Sequence, residues 1–135
     1  MKTVILCGGR GTRLYPDTKL RPKPIVEVGK HPILWHIMKI YSHYKFNEFV
    51  LALGYKGEEI KKYIKEYSLR SGNVHLNLST DQTALERNHS KNWQIELIDT
   101  GMDTLTGGRL ARLESHLRDT GTFMLTYGDG LADIN

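Results

Sequence analysis

One cysteine, Cys7, is all the thiol that 135 residues offer. A lone cysteine excludes an internal disulfide framework and a multi-cysteine zinc site, and it makes a reducing cytoplasm the expected compartment. The six histidines are scattered, with no H-x3-H or H-E-x-x-H pair, so the common zinc spacings are missing as well. No serine sits in a G-x-S-x-G elbow, and Cys7 lies in an apolar run with no base beside it, which removes hydrolase and thiol chemistry. Long apolar runs are absent: nothing approaches the roughly 20 residues of a membrane span. The stretch Thr3 to Cys7 runs into glycines too soon for a signal-peptide core, so a soluble protein without membrane contact is expected.

Charge is present but mixed. Nineteen Lys and Arg against 15 Asp and Glu give a net charge of +4. The basic residues gather only near the N-terminus, at Arg10, Arg13, Lys19, Arg21 and Lys23, which suits a local phosphate site better than a stripe tracking a nucleic-acid duplex. The aromatic residues fall mainly at helical core spacing and form no platform interleaved with Lys or Arg, so no nucleic-acid partner is expected.

Val4-Ile5-Leu6 and Phe49 to Leu53 are short apolar runs ended by glycine, the pattern of strands buried on both faces. Ile95 to Ile98 and Thr122 to Tyr127 read as further strands, and Val74, Leu76 and Leu78 alternate with polar residues as another. Ile33, Leu34, Ile37, Met38 and Tyr41 mark one helical face; Ile60, Tyr63, Ile64 and Tyr67 a second; and Leu110, Leu113 and Leu117 a third helix starting near Gly107-Gly108. Residues 81–92 are polar and unpatterned, as in an excursion or flap. Alternating strand and helix predict an α/β fold over residues 1–135, a doubly wound, mainly parallel sheet with helices on both faces. In such sheets ligands bind beyond the carboxyl ends of the strands. Functional residues are therefore expected in the glycine-rich loops 8–24, 100–109 and 128–135.

Gly8, Gly9 and Gly11 follow the first strand. Without side chains they let backbone N–H groups approach a phosphate chain, while Thr12 adds a hydroxyl and Arg13 a cationic fork. The spacing fits neither the dinucleotide G-x-G-x-x-G nor a P-loop, and a plain flexible turn explains the glycines equally well. Pro22-Lys23-Pro24 fixes the backbone around a lysine in extended shapes and aims its ammonium. Asp129, between two glycines after an apolar strand, reads either as a turn aspartate or as a carboxylate at the sheet edge that can hold Mg²⁺. Thr106 reads as an N-cap whose helix end suits an anion or a base carbonyl.

Taken together, Gly8-Gly9-Arg10-Gly11-Thr12-Arg13-Leu14 followed by Lys23-Pro24 resembles the N-terminal motif of the sugar-phosphate nucleotidyltransferases. Pro32 to Met38, Gly54-Tyr55-Lys56-Gly57, Thr106 to Leu110 and Thr126 to Gly130 extend the likeness over nearly the whole chain, with most similarity to the branch that transfers a cytidylyl group to glucose 1-phosphate. Cys7 stands where many relatives have alanine. The resemblance implies a Rossmann-like fold and a reaction joining a nucleoside triphosphate, CTP favoured, to a sugar 1-phosphate with Mg²⁺. It implies that Leu6, Cys7, Gly8, Gly9, Arg10, Gly11, Thr12 and Arg13 wrap the triphosphate, with Arg13 on the pyrophosphate portion, and that Lys23 meets the reacting phosphates. It further implies that Gly128 lies close to the nucleotide, that Asp129 binds Mg²⁺, and that Thr104 and Arg109 border the base and ribose. A homo-oligomer is expected on the same ground. In that family a second metal-binding Asp and most of the sugar pocket come after residue 135, so the nucleotide-binding part is expected to be incomplete at its C-terminus. A binding or regulatory module without transfer activity, and uridylyl or thymidylyl specificity, remain open alternatives.

Overall fold

A computed structural model describes residues 1–10, 21–87 and 92–132. Its centre is a four-stranded parallel sheet in which β1 (Lys2–Leu6) lies between β4 (Glu48–Leu53) and β8 (Met124–Tyr127), and β7 (Gln94–Asp99) flanks β4. The apolar runs of β1 and β4 explain their place: strands covered on both faces have no polar side to spare, and Val4, Ile5, Phe49, Val50, Leu51, Ala52 and Leu53 are all buried. The register sets Leu6 beside both Ala52 and Tyr127, so the strands end at one level.

Helices cover both faces, as expected. Helix α1 (Ile33–His43) and helix α2 (Gly57–Arg70) pack on the face carrying Ile5, Phe49, Leu51 and Leu53, burying Leu34, Ile37, Met38 and Ile60. The short helices α3 (Thr106–Arg112) and α4 (Glu114–Leu117) bring Leu113 and Leu117 to the face carrying Val4, Leu6, Val50 and Ala52. The leucine spacing at 110, 113 and 117 predicts one helix, but the chain breaks at Leu113, which caps both short segments.

The alternating segment around Val74 corrects the expectation that strand and helix alternate throughout. It forms β5 (Gly72–Asn77), which pairs antiparallel with β6 (Gln82–Arg87) in a separate hairpin outside the parallel sheet. Residues expected to be an unpatterned flap thus include a strand. A second small ribbon pairs β2 (Glu27–Val28) with β3 (His31–Pro32), and Gly29 takes the positive φ of 67° in its turn.

At the end of the sheet away from the carboxyl edge, Lys2 Nζ donates to Glu96 Oε1 at 2.6 Å, and His116 Nδ1 lies 2.9 Å from Glu96 Oε2. The hydrogen bond from Lys2, followed by that from His116, holds the Glu96 carboxyl below its ordinary 4.5, against the opposing effect of partial burial. A carboxyl with a depressed folded-state pKa stabilises the fold fully above its unfolded value and loses that contribution as pH falls below it. Glu96→Gln is therefore expected to flatten the acid limb of a stability-against-pH curve below pH 4.5. Urea titrations at pH 7 and well below pH 4.5 measure it; a variant that tracks the parent at both would show the ion pair to be inert.

Candidate active site

The loops after β1, β7 and β8 converge on one cleft of about 380 Å³ at the carboxyl edge of the sheet. Its floor is the turn Leu6 to Gly9, one wall carries Lys23, Pro24, Tyr127 and Asp129, and the other carries Thr104, Leu105, Thr106 and Arg109. The topological rule thus finds the cleft, and the crossing between β1 and its two neighbours provides the gap.

Lys23 and Asp129, 106 residues apart in sequence, form an ion pair with each other. Both side chains are only partly exposed, at 23% and 35%. Their backbones are held at this separation by Gly128: its N–H donates to Leu6 O at 2.9 Å, and a Cβ there would lie 2.9 Å from Pro24 Cγ and 3.1 Å from Cys7 Sγ. Only glycine permits that approach, so the cation and the carboxylate are set across a joint with no room for adjustment. Pro22 is extended, at φ −66° and ψ 149°, but Lys23–Ile25 is a 3-10 turn. The expectation of an extended backbone at Lys23 is corrected accordingly: Val26 N–H donating to Lys23 O at 3.1 Å closes the turn despite the proline that follows the lysine.

Arg109 is 5% exposed and its guanidinium is turned into the protein. Its Nη1 donates to Leu53 O, Thr100 Oγ1 and Gly101 O at 3.1, 2.8 and 2.7 Å, and its Nη2 to Gly8 O and Met102 O at 2.9 and 3.3 Å. One planar fork therefore ties together the chain leaving β1, β4 and β7, a geometry available to arginine and not to lysine. The glycines at 8 and 54 make space for it, since a Cβ at either position would collide with the guanidinium. Burial first, and the neighbouring charge of Arg112 second, draw the Arg109 pKa below its ordinary value.

Thr104 lines the cleft, and its hydroxyl accepts a hydrogen bond from Arg112. Arg10, exposed, pairs with Asp103 at 2.7 Å and bridges the glycine turn to the opposite loop. Thr106 is the first residue of α3 and not its N-cap: Leu105 occupies that position and no side chain caps the helix. Gly11, Thr12 and Arg13 lie outside the described residues. Sequence reasoning gave no role to Leu105, an apolar side chain 84% exposed on the cleft wall, nor to Tyr127; Leu105 falls inside the 100–109 loop expected to carry function and Tyr127 ends the expected last strand, and those placements are the only signal that could have found them.

Cys7 is buried among core residues, and that burial pushes its thiol far above the ordinary range. It is a packing residue at the floor. Its modification by a thiol reagent at pH 8 is expected only in denaturant, and rapid labelling of the native protein would contradict that.

Among the described residues no group of three His, Cys, Asp or Glu side chains could cage a metal ion. Mg²⁺ does not require one: it commonly takes one or two carboxylates, with water and substrate phosphates completing an octahedron. A partly exposed Asp129 on the wall of a cleft fits that donor set. No helix among the described residues is long and apolar enough to cross a membrane.

The fold is a parallel α/β sheet whose carboxyl edge gathers a glycine turn, a lysine and a carboxylate in one cleft. Residues 2–101 match the nucleotidyl transferase family, and the chain belongs to it. Over all 135 residues it is 50% identical to a probable glucose-1-phosphate cytidylyltransferase of Bacillus subtilis and 44% identical to glucose-1-phosphate cytidylyltransferase of Salmonella typhimurium, and it covers 52% of each. The chain thus spans about half the length of these curated relatives. In fold it is similar to HddC from Yersinia pseudotuberculosis, solved with GMP-PN (TM-score 0.69, 23% identity, 95% of this chain and 47% of that one). It is also similar to the CTP:phosphocholine cytidylyltransferase LicC from Streptococcus pneumoniae (TM-score 0.64, 21% identity, 95% and 44%).

Proposed function

We propose that the protein transfers a nucleotidyl group from a nucleoside triphosphate, with CTP as the favoured donor, to a sugar 1-phosphate, with α-D-glucose 1-phosphate as the favoured acceptor, in a Mg²⁺-dependent reaction. The products are CDP-glucose and pyrophosphate. The observation that carries this reading is the meeting of Lys23 and Asp129 beside the Leu6 to Gly9 turn in one cleft. Base and sugar rest on the identity to the two cytidylyltransferases.

The chemistry asks little of the protein in acid or base catalysis. A sugar 1-phosphate is already ionised near neutral pH, so its oxygen attacks the α-phosphorus directly. The new P–O bond forms as the bond to the bridging oxygen breaks, and the electron pair leaves with pyrophosphate. In-line positioning and compensation of charge supply the rate. Lys23 and Arg13 would neutralise phosphate oxygens, and the glycine turn would present N–H groups at close range. Asp129 would hold Mg²⁺, which when bound supplies further compensation for the pyrophosphate charge.

Pyrophosphate release, followed with CTP, UTP and dTTP each paired with glucose 1-phosphate in Mg²⁺ and again with excess EDTA, tests the proposal. Release is expected to be fastest with CTP and to stop in EDTA. Nucleotide binding without release from any pair would favour a binding or regulatory module instead.

A further inference from the structure

We propose that Arg112, which is not among the residues lining the cleft, is a positioning residue that sets nucleotide affinity by fixing Thr104. This rests on the reading that the cleft holds a nucleotide.

Arg112 lies one helical turn after Arg109 on α3, and the two side chains take opposite jobs. Arg109 is buried and holds strand ends together, whereas Arg112 is exposed and reaches back over the 99–104 loop. Its Nη1 donates to Thr100 O and, at 2.6 Å, to Thr104 Oγ1. Two glycines make this approach possible. Gly101, at φ +89°, would place a Cβ against Arg112 Nη1 and 2.6 Å from Thr104 Oγ1, and a Cβ on Gly108 would lie 2.8 Å from Thr104 Cγ2. Gly101 N–H also donates to Asp99 Oδ1 at 2.9 Å, which fixes the start of the loop. Thr104 is therefore gripped on its hydroxyl by a cation and on its methyl by helix α3.

A threonine hydroxyl has one proton to give and two lone pairs. Arg112 occupies a lone pair with a charge-assisted bond, which polarises the O–H and leaves its proton to be given elsewhere. Thr104 lines the cleft from the loop after β7, at the other edge of the sheet order from β8, which Asp129 of the Lys23–Asp129 pair follows. The ligand group it suits is thus an uncharged acceptor, a base carbonyl or a ribose oxygen.

Arg112→Leu, Thr104→Val and the double variant separate this role from others, using kinetics together with binding of cytidine monophosphate and of pyrophosphate. Each single variant is expected to raise KM for the nucleotide and Kd for the monophosphate about tenfold, the scale of one lost hydrogen bond to a charged group. The turnover number, pyrophosphate affinity and melting temperature should stay near those of the parent. The double variant should be no worse than either single one, since both remove the same interaction. Additive losses, or an unchanged monophosphate Kd, would overturn the inference. Weaker pyrophosphate binding with monophosphate binding intact would also overturn it, by marking Arg112 as a general cation. Failure of the underlying reading looks different: the parent protein itself would then bind neither probe.

Discussion

Lys23→Ala and Asp129→Ala are each expected to lower turnover by about 10²- to 10³-fold, the range found when one preorganised charge-stabilising group is removed from an active site. The fold should survive. Their ion pair is partly exposed, and exposed pairs contribute little to stability. The pair also implies a specific binding behaviour. With no ligand bound, each group is the other's counter-ion, so Mg²⁺ arriving alone must compete with the Lys23 ammonium for Asp129. A nucleoside triphosphate arriving alone must draw Lys23 away and leave a carboxylate facing phosphates. Metal and nucleotide together satisfy both groups, and such coupling is reciprocal. Calorimetry with Mg²⁺ alone should show tighter binding to Lys23→Ala than to the parent. Unchanged turnover in both variants would refute the roles given to these residues.

The second large effect is on stability. Arg109→Leu deletes every donor of a buried fork: the carbonyls of Gly101 and Met102 lose that partner, while Leu53 O keeps the Thr100 N–H and hydroxyl and Gly8 O keeps the Tyr55 N–H. Unmet buried acceptors cost about 1–3 kcal/mol each, and with some relaxation a total loss of about 3 kcal/mol is expected. For a chain of this size that corresponds to a melting temperature lower by about 10 °C. Arg109→Lys should recover little, because one ammonium cannot reach acceptors spread over several strand ends. A loss below about 1 kcal/mol in urea unfolding would mean that water replaces the guanidinium and that the strand ends do not depend on it.

The centre of the parallel sheet was legible because β1 and β4 carry uninterrupted apolar runs that only a doubly covered strand can bury. The cleft was legible for a related reason: glycine-rich loops follow those strands, and the carboxyl edge is where such loops meet. Where reading failed, the signal was ambiguous in kind. Alternation at Val74, Leu76 and Leu78 announces a strand and its faces but not which sheet the strand joins, and here Leu76 and Leu78 are exposed at 63% and 87%. Gln82–Arg87 has no apolar period because its described side chains are exposed, so nothing in the sequence separates it from a loop. Leucines at 110, 113 and 117 keep helical spacing across a break, since a short turn at Leu113 carries them to the same face. Arg109 enters the sequence reading only through the family resemblance, as a residue bordering the base and ribose. That its guanidinium is occupied by backbone oxygens depends on strand ends that only the folded chain brings together.

The two sides of the cleft are made of different material, and mutation will treat them differently. Around Gly128 the architecture is main chain pressed against main chain and proline, so almost any replacement there is a collision, and that side is frozen. The opposite side is assembled from side chains on the loop that leads into a short helix and on the helix itself, with Leu105 projecting freely at its lip. Under the proposed nucleotidyl transfer, selection for a different nucleobase is expected to find latitude on that side, and a library confined to positions 102–106 is the place to look for altered donors.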